Sequence, residues 1–244
     1  MSSPDLVDAS RPSPVRTPTM IHRWEDTTFL HWRCDAAVVQ PRLPPGLRVE
    51  EGDGSAWVSL LPFRMRIRFP GLGRLPWLTF PETNVRTYVE GPDGGRGIFF
   101  FSLEAGRASP VVAAHASLSL PYVWADMALR RDRDQVRYRS ARRVPGPRGA
   151  GYDIEVRWGE PIGKDRLPAL DDFLVNRFRL YTVKFGRLLS VDAEHEPWSL
   201  RRAEVVRLHQ DLIQANGLPA PEGEPLVHAS EGVVVRIGAP AFAD

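Results

Sequence analysis

Lysine is almost missing from this chain. Of its 32 basic residues only Lys164 and Lys184 are lysines and the other thirty are arginines, so an imine-forming or general-base lysine could only be one of those two. The ratio reads first as the codon bias of a GC-rich genome, since alanine, glycine and proline are plentiful too. Cys34 is the single cysteine, which excludes an internal disulfide framework and a cysteine-rich metal site and fits a reducing compartment. The N-terminus has no signal-peptide pattern, and no stretch reaches the about 18 apolar residues that read as a membrane helix. The expectation is a cytoplasmic protein without a membrane partner.

Other signatures are missing as well. The six histidines, His22, His31, His115, His195, His209 and His228, show neither H-E-x-x-H nor facial-triad spacing, so no metal is expected. There is no G-x-S-x-G elbow and no Walker loop, and no glycine cluster opens a helix after a strand. Hydrolase, NTPase and dinucleotide-binding readings fall, and no cofactor is implied. The formal charge of +2 does not call for nucleic acid. Seven arginines between Arg130 and Arg143 could touch phosphate, though a solvated hairpin explains them equally well.

What is there is an ordinary globular composition, 244 residues with 43% apolar and 25% charged. Residues 1–20 hold four prolines and four serines without apolar periodicity and read as a disordered N-terminal arm. From Ile21 to residue 244, short apolar runs separated by Gly/Pro/Asp turns predict a single, mainly β domain with small flanking helices. Strands are expected over Thr27–Trp32, Ala56–Phe69, Phe80–Glu90, Gly97–Leu103, Tyr122–Leu129, Gln135–Arg142, Tyr152–Trp158, Phe178–Lys184, Leu188–His195, Ser199–His209 and Pro225–Ile237. Phe63, Met65, Ile67 and Phe69 fall on one face of the second and Arg64, Arg66 and Arg68 on the other. Short helices are expected after the N-caps Asp35 and Ser109, after Pro168, and over Asp211–Ala215.

The most unusual strand is Phe80–Val89, whose period of two puts Glu82, Asn84, Arg86 and Tyr88 on one face and Thr83, Val85, Thr87 and Val89 on the other. Solvent could wet the polar face. The next strand, however, is apolar on both faces and belongs in the middle of a sheet, so the polar ladder is expected inside, with Asn84 bridging Glu82 and Arg86. A second group is His115, Tyr122, Trp124 and Asp126. His195, between two glutamates, reads as a general base or as a structural hydrogen-bond hub. Arg177 or Arg179 could clamp a carboxylate or pair with Asp171 or Asp172.

These residues resemble the YqjF-like family of the acetoacetate decarboxylase-like superfamily. The resemblance runs from about Trp24: Leu43-Pro-Pro-Gly-Leu47, Ala56-Trp-Val58 with Pro62-Phe-Arg-Met65, Glu82-Thr-Asn-Val-Arg-Thr-Tyr-Val89, Phe99-Phe-Phe-Ser-Leu-Glu-Ala105, Leu120-Pro-Tyr122, Arg177-Phe-Arg-Leu-Tyr181, His195-Glu-Pro-Trp198 and His228-Ala-Ser-Glu-Gly232. It implies an acetoacetate decarboxylase-like β-barrel with an internal small-ligand cavity, and it places Glu82 where the decarboxylases carry an active-site glutamate. Those enzymes form an imine on a lysine of depressed pKa. Here the matching region, Ser119-Leu-Pro-Tyr-Val-Trp124, has none.

The expected function is therefore the binding of a small carbonyl- or carboxylate-bearing metabolite, with cofactor-independent lyase, isomerase or cyclase chemistry. Glu82 would be the acid/base, Arg86 the oxyanion holder and Tyr122 or His115 a proton shuttle, with Asn84, Tyr88, Trp124 and Arg179 as ligand contacts. The alternative is a non-catalytic binding or sensor module in which Glu82 and Arg86 merely pair. A third reading keeps Lys184 as an imine former. The expected partner is a small organic ligand, and a homo-oligomer is left open.

Overall fold

The computed structural model describes residues 14–72, 76–108, 119–163 and 167–243. Thirteen strands are described in one sheet: β1 (Met20–Cys34), β2 (Arg48–Val49), β3 (Ala56–Arg68), β4 (Leu78–Glu90), β5 (Arg96–Ala105), β6 (Tyr122–Asp132), β7 (Gln135–Val144), β8 (Gly151–Pro161), β9 (Arg179–Lys184), β10 (Arg187–His195), β11 (Leu200–Gln210), β12 (Leu226–Ile237) and β13 (Ala241–Phe242). Each expected strand is present. The two-residue edge strands β2 and β13 carry too short a pattern to be read from sequence.

The sheet closes twice. Pairing in the order β5-β6-β7-β8-β11-β12-β1-β3-β4 and back to β5 makes a barrel of nine strands. A second ring of seven runs β5-β9-β10-β12-β1-β3-β4 and back to β5, closed by the short β5–β9 and β10–β12 ladders. The two rings share β12, β1, β3, β4 and β5. Successive residues of a strand face opposite ways, so the shared strands line a different core with each face. Val85, Leu60, Leu30 and Trp32 join Tyr138, Ile154 and Val156 in the nine-stranded barrel, whereas Tyr88, Phe63, Met65 and Phe100 join Val191, Ala193 and Val235 in the seven-stranded ring.

This is why β4 has no wet face: Glu82, Asn84, Arg86 and Tyr88 are all buried, and so are Thr83, Val85 and Thr87. A bulge keeps β1 in step. Its register against β3 shifts between Glu25 and Leu30, Asp26 takes φ 51°, and Gly232, opposite Glu25 on β12, takes φ 134°. A Cβ on Gly232 would stand 2.0 Å from the Trp24 carbonyl oxygen, so only glycine fits there. The shift brings Trp24 before it and Phe29 and His31 after it to the same side.

The helix Ala169–Val175 packs Leu170, Phe173 and Leu174 against the seven-stranded core, while Leu212–Ala215 seals the nine-stranded one. Asp35 caps the helix Ala36–Val39 by accepting from the Ala37 amide at 2.8 Å. The helix expected after Ser109 lies outside the described residues. Two expectations are corrected. Residues 14–19, read as the end of a disordered arm, are docked: Val15 is buried and its amide donates to Glu194 at 2.8 Å. Phe69, read as continuing the buried face of β3, is 40% exposed because the strand ends one residue before it.

Candidate functional site

The inner face of the seven-stranded ring carries the polar ladder of β4. Glu82 is 2% exposed, opposite Phe63 on β3 and Ala105 on β5. Tyr122 begins β6 and its phenol donates to Glu82 Oε2 at 3.1 Å. Burial pushes the Glu82 carboxyl up to about 8, the Tyr122 hydrogen bond opposing it only partly. Burial first, and the Glu82 charge second, push Tyr122 well above the usual phenol range. At neutral pH the pair is a carboxylic acid and a phenol, a store of protons rather than of charge.

Arg86 does not reach Glu82. Four residues of strand separate their Cα atoms by about 13 Å, and Arg86 instead donates to the Leu174 carbonyl at 2.9 Å, over the rings of Tyr88 and Phe29 at 5.6 and 5.9 Å. Among the described residues no carboxylate lies within ion-pair distance of it. The expected bridge through Asn84 is therefore absent, and Asn84 Oδ1 is buried without a partner among the described residues.

Tyr88 also donates to the Leu174 carbonyl, at 2.8 Å, and lies 2.8 Å from Ser59 Oγ and 3.1 Å from His31 Nδ1, which is itself 2.7 Å from Ser59. The arrangement with a proton along every link of a chain runs His31 Nδ1–H to Ser59, Ser59 to Tyr88, and Tyr88 to Leu174. It leaves His31 Nε2 bare and buried, without a partner among the described residues. Burial, with help from His228 and Arg86, holds this imidazole well below its ordinary pKa. Row by row, Arg86 is opposite Ser59, Ser59 opposite His31, and Phe29 opposite His228. Sequence reading missed His31, Ser59 and His228. A histidine inside the apolar run Phe29–Trp32 was the available signal.

The remaining candidates fall differently. Trp124 is half-buried, packs on the same core and lies under Arg143, whose guanidinium is 5.0 Å from its ring. Arg179 is not in the ring interior: it shares a face with Tyr181 and pairs with Asp93 at 2.9 Å and Asp192 at 3.0 Å. Arg177 is buried against Glu50 at 2.6 Å. His195 stands between two carbonyls, Nδ1 2.7 Å from that of Glu196 and Nε2 3.2 Å from that of Arg177, and its one N–H donates to one of them, which is the hub geometry. Lys184 sits at the β9–β10 tip, its amine 5.3 Å from the ring of exposed Phe185. His115 and Lys164 lie outside the described residues.

The arginine stretch of β6 and β7 is largely neutralised, Arg131 by Asp26 and Glu231, Arg137 and Arg139 by Asp153, and Arg143 by Asp126. Arg142 turns inward instead and grips Glu104 at 2.7 Å inside the nine-stranded barrel, with Ser102 and Asn216. A surface cleft of about 350 Å³ beside Trp32, Cys34 and Leu218 contains none of the expected site residues. Among the described residues no group of three or more His, Cys, Asp or Glu is placed to hold a metal, and no helix is long and apolar enough to cross a membrane.

Among the described residues, the buried side-chain atoms without a hydrogen-bond partner include, around the seven-stranded ring, both nitrogens of His22, Trp24 Nε1, Asn84 Oδ1, Arg86 Nε, His31 Nε2 and His228 Nδ1, and elsewhere atoms of Thr27, Glu50, Arg66, Ser140, Trp158 and Arg177. Buried polar atoms are nearly always hydrogen-bonded, to protein or to ordered water.

The fold is acetoacetate decarboxylase-like, as solved structures show. The enduracididine biosynthesis enzyme MppR, in complex with pyruvate, aligns with a TM-score of 0.65 at 18% identity over 95% of this chain and 93% of that one. An acetoacetate decarboxylase-like enzyme from Sphingomonas wittichii RW1 aligns at 0.62 and 14% identity over 95% of each. The chain belongs to the DUF2071 family, described as "Uncharacterized conserved protein", whose sequence model matches residues 22–234. It is 34% identical over 212 residues, 86% of each chain, to the uncharacterized protein YqjF of Bacillus subtilis strain 168.

Proposed function

We propose that the seven-stranded ring binds a small carbonyl- or carboxylate-bearing metabolite and acts on it as a lyase, isomerase or cyclase that needs neither a cofactor nor an imine. The observation that carries this reading is a neutral, buried Glu82–Tyr122 acid in the same interior as a buried Arg86 that no described carboxylate neutralises. An uncompensated buried cation is costly. A carboxylate or developing oxyanion offsets that cost, and Glu82 supplies a proton to the carbonyl end. The crystallised complex of MppR with pyruvate is consistent with this substrate class by analogy of fold alone. With it go a small organic ligand as partner, no nucleic acid or membrane, and a cytoplasmic location.

The non-catalytic reading keeps one observation in its favour: Arg86 and Tyr88 both bond the Leu174 carbonyl and so brace the helix Ala169–Val175. Thermal unfolding with a panel of 2-keto acids separates the cases. Protection of the wild-type protein that is lost in Arg86→Met but kept in Glu82→Gln supports binding at Arg86, and turnover of a protecting acid, lost in Glu82→Gln, supports catalysis. An unaltered melting temperature with every acid refutes the proposal.

A further inference from the structure

His228 is a family-motif residue that the reading above leaves unused. It is 2% exposed on β12, and its Nε2 lies 3.0 Å from Asp171 Oδ2 on the helix Ala169–Val175. With the ring proton on Nε2, facing that carboxylate, Nδ1 is an acceptor. Nδ1 is buried and has no partner among the described residues. The His31 ring, whose Nε2 is likewise bare, lies 5.9 Å away, and Arg86 is close enough to act on His31 electrostatically. The groups facing this imidazole are Asp171 from the helix and His31 from β1, with Arg86 of β4 acting on His31 in turn.

We propose that His228, oriented by Asp171, is the general base of the interior site, opposite in role to the acid Glu82, and that the substrate is a small 2-keto acid with an acidic C–H beside its carbonyl. The inference rests on the ring interior being a ligand site. The step balances within the protein: His228 Nδ1 takes the C3 proton, the C–H electron pair becomes the enol double bond, and the carbonyl oxygen receives the Glu82 proton. Asp171 is a positioning residue that offsets the imidazolium charge. Electrophilic loss, rearrangement or ring closure can follow from the enol.

Bromopyruvate, a keto acid that alkylates accessible lone pairs by displacing bromide, tests this on the wild-type protein. Peptide mass spectrometry is expected to find a carboxyketoethyl group on His228 that excess pyruvate suppresses at least tenfold, while labelling of Cys34, remote from the ring interior, is unchanged. Asp171→Asn, if it still melts cooperatively, should slow His228 labelling about tenfold. Unslowed labelling in that folded variant overturns the role of Asp171. Pyruvate-protected labelling at Glu82, His22, His31 or His195 with His228 untouched overturns the assignment of the base but keeps the ligand site. Failure to find any pyruvate-protected label in the ring overturns both.

Discussion

The Tyr122 phenol donates to Glu82 Oε2 across 3.1 Å in the interior of the seven-stranded ring, and with no described cation paired to it the Glu82 carboxyl keeps its proton to about pH 8. Its folded pKa is thus raised above the ordinary 4.5. Between those two values the unfolded chain has released a proton that the folded chain still holds, so ν_U is below ν_N and stability falls as pH rises. Glu82→Gln removes that dependence. Relative to wild type it should be near neutral at pH 5 and gain roughly 2–5 kcal/mol by pH 8, read from urea unfolding at the two pH values. Equal loss of stability at both would mean that Glu82 is structural.

Two buried arginines should respond very differently to removal. Arg142 is bonded to Glu104 with both residues almost wholly inaccessible, their side chains 3% and 0% exposed. Burial raises the Glu104 pKa, and Arg142 opposes the rise. Arg142→Met strands that carboxylate and should cost about 3–5 kcal/mol, with a large coupling to Glu104→Gln in a double-mutant cycle. Arg86→Met removes a cation that has no described counter-charge and gives up one hydrogen bond to Leu174, so it should change stability by only about 1 kcal/mol. Chemical denaturation of both variants decides the comparison.

Burial holds His22 down to about 4. Above the ordinary value of 6.5 both states are neutral, and as pH falls toward 4 the unfolded chain takes up a proton that the folded chain refuses, so stability is lost across that window. His22→Phe should flatten this acid limb, by roughly 1–3 kcal/mol at pH 4.5. A proton NMR titration of the wild-type ring should show no protonation at pH 5.5.

Borohydride reduction in the presence of 2-keto acids should add no mass to the intact protein. Lys184 stands at a hairpin tip over the exposed Phe185 ring, and no lysine lies between residues 109 and 124. An adduct on Lys184 would restore the imine mechanism.

Much of the site was legible where the signal was local. Alternation along β4 placed Glu82, Asn84, Arg86 and Tyr88 on one face, and the doubly apolar β5 correctly called for an interior position. The bridge from Glu82 to Arg86 failed because strand rise, about 3.3 Å per residue, outruns two side chains when one is drawn off to a helix carbonyl. Arg142 looked like one arginine among seven on a solvated hairpin. Its partner Glu104, the lone charge in the apolar run Gly97–Ala105, carried the better clue, since such a charge must find a counter-ion.

The sequence by itself determined the β class, the strand order along the chain, the family and the near absence of an imine-forming lysine, because periodicity, turn residues and composition are properties of neighbours. The tertiary structure alone decided that five strands serve two rings, that both faces of β4 are dry, and that Asp171, His228, His31, Ser59 and Arg86 meet. Those meetings run across the sheet, between residues up to about 200 positions apart, and no local pattern records which strands close a ring.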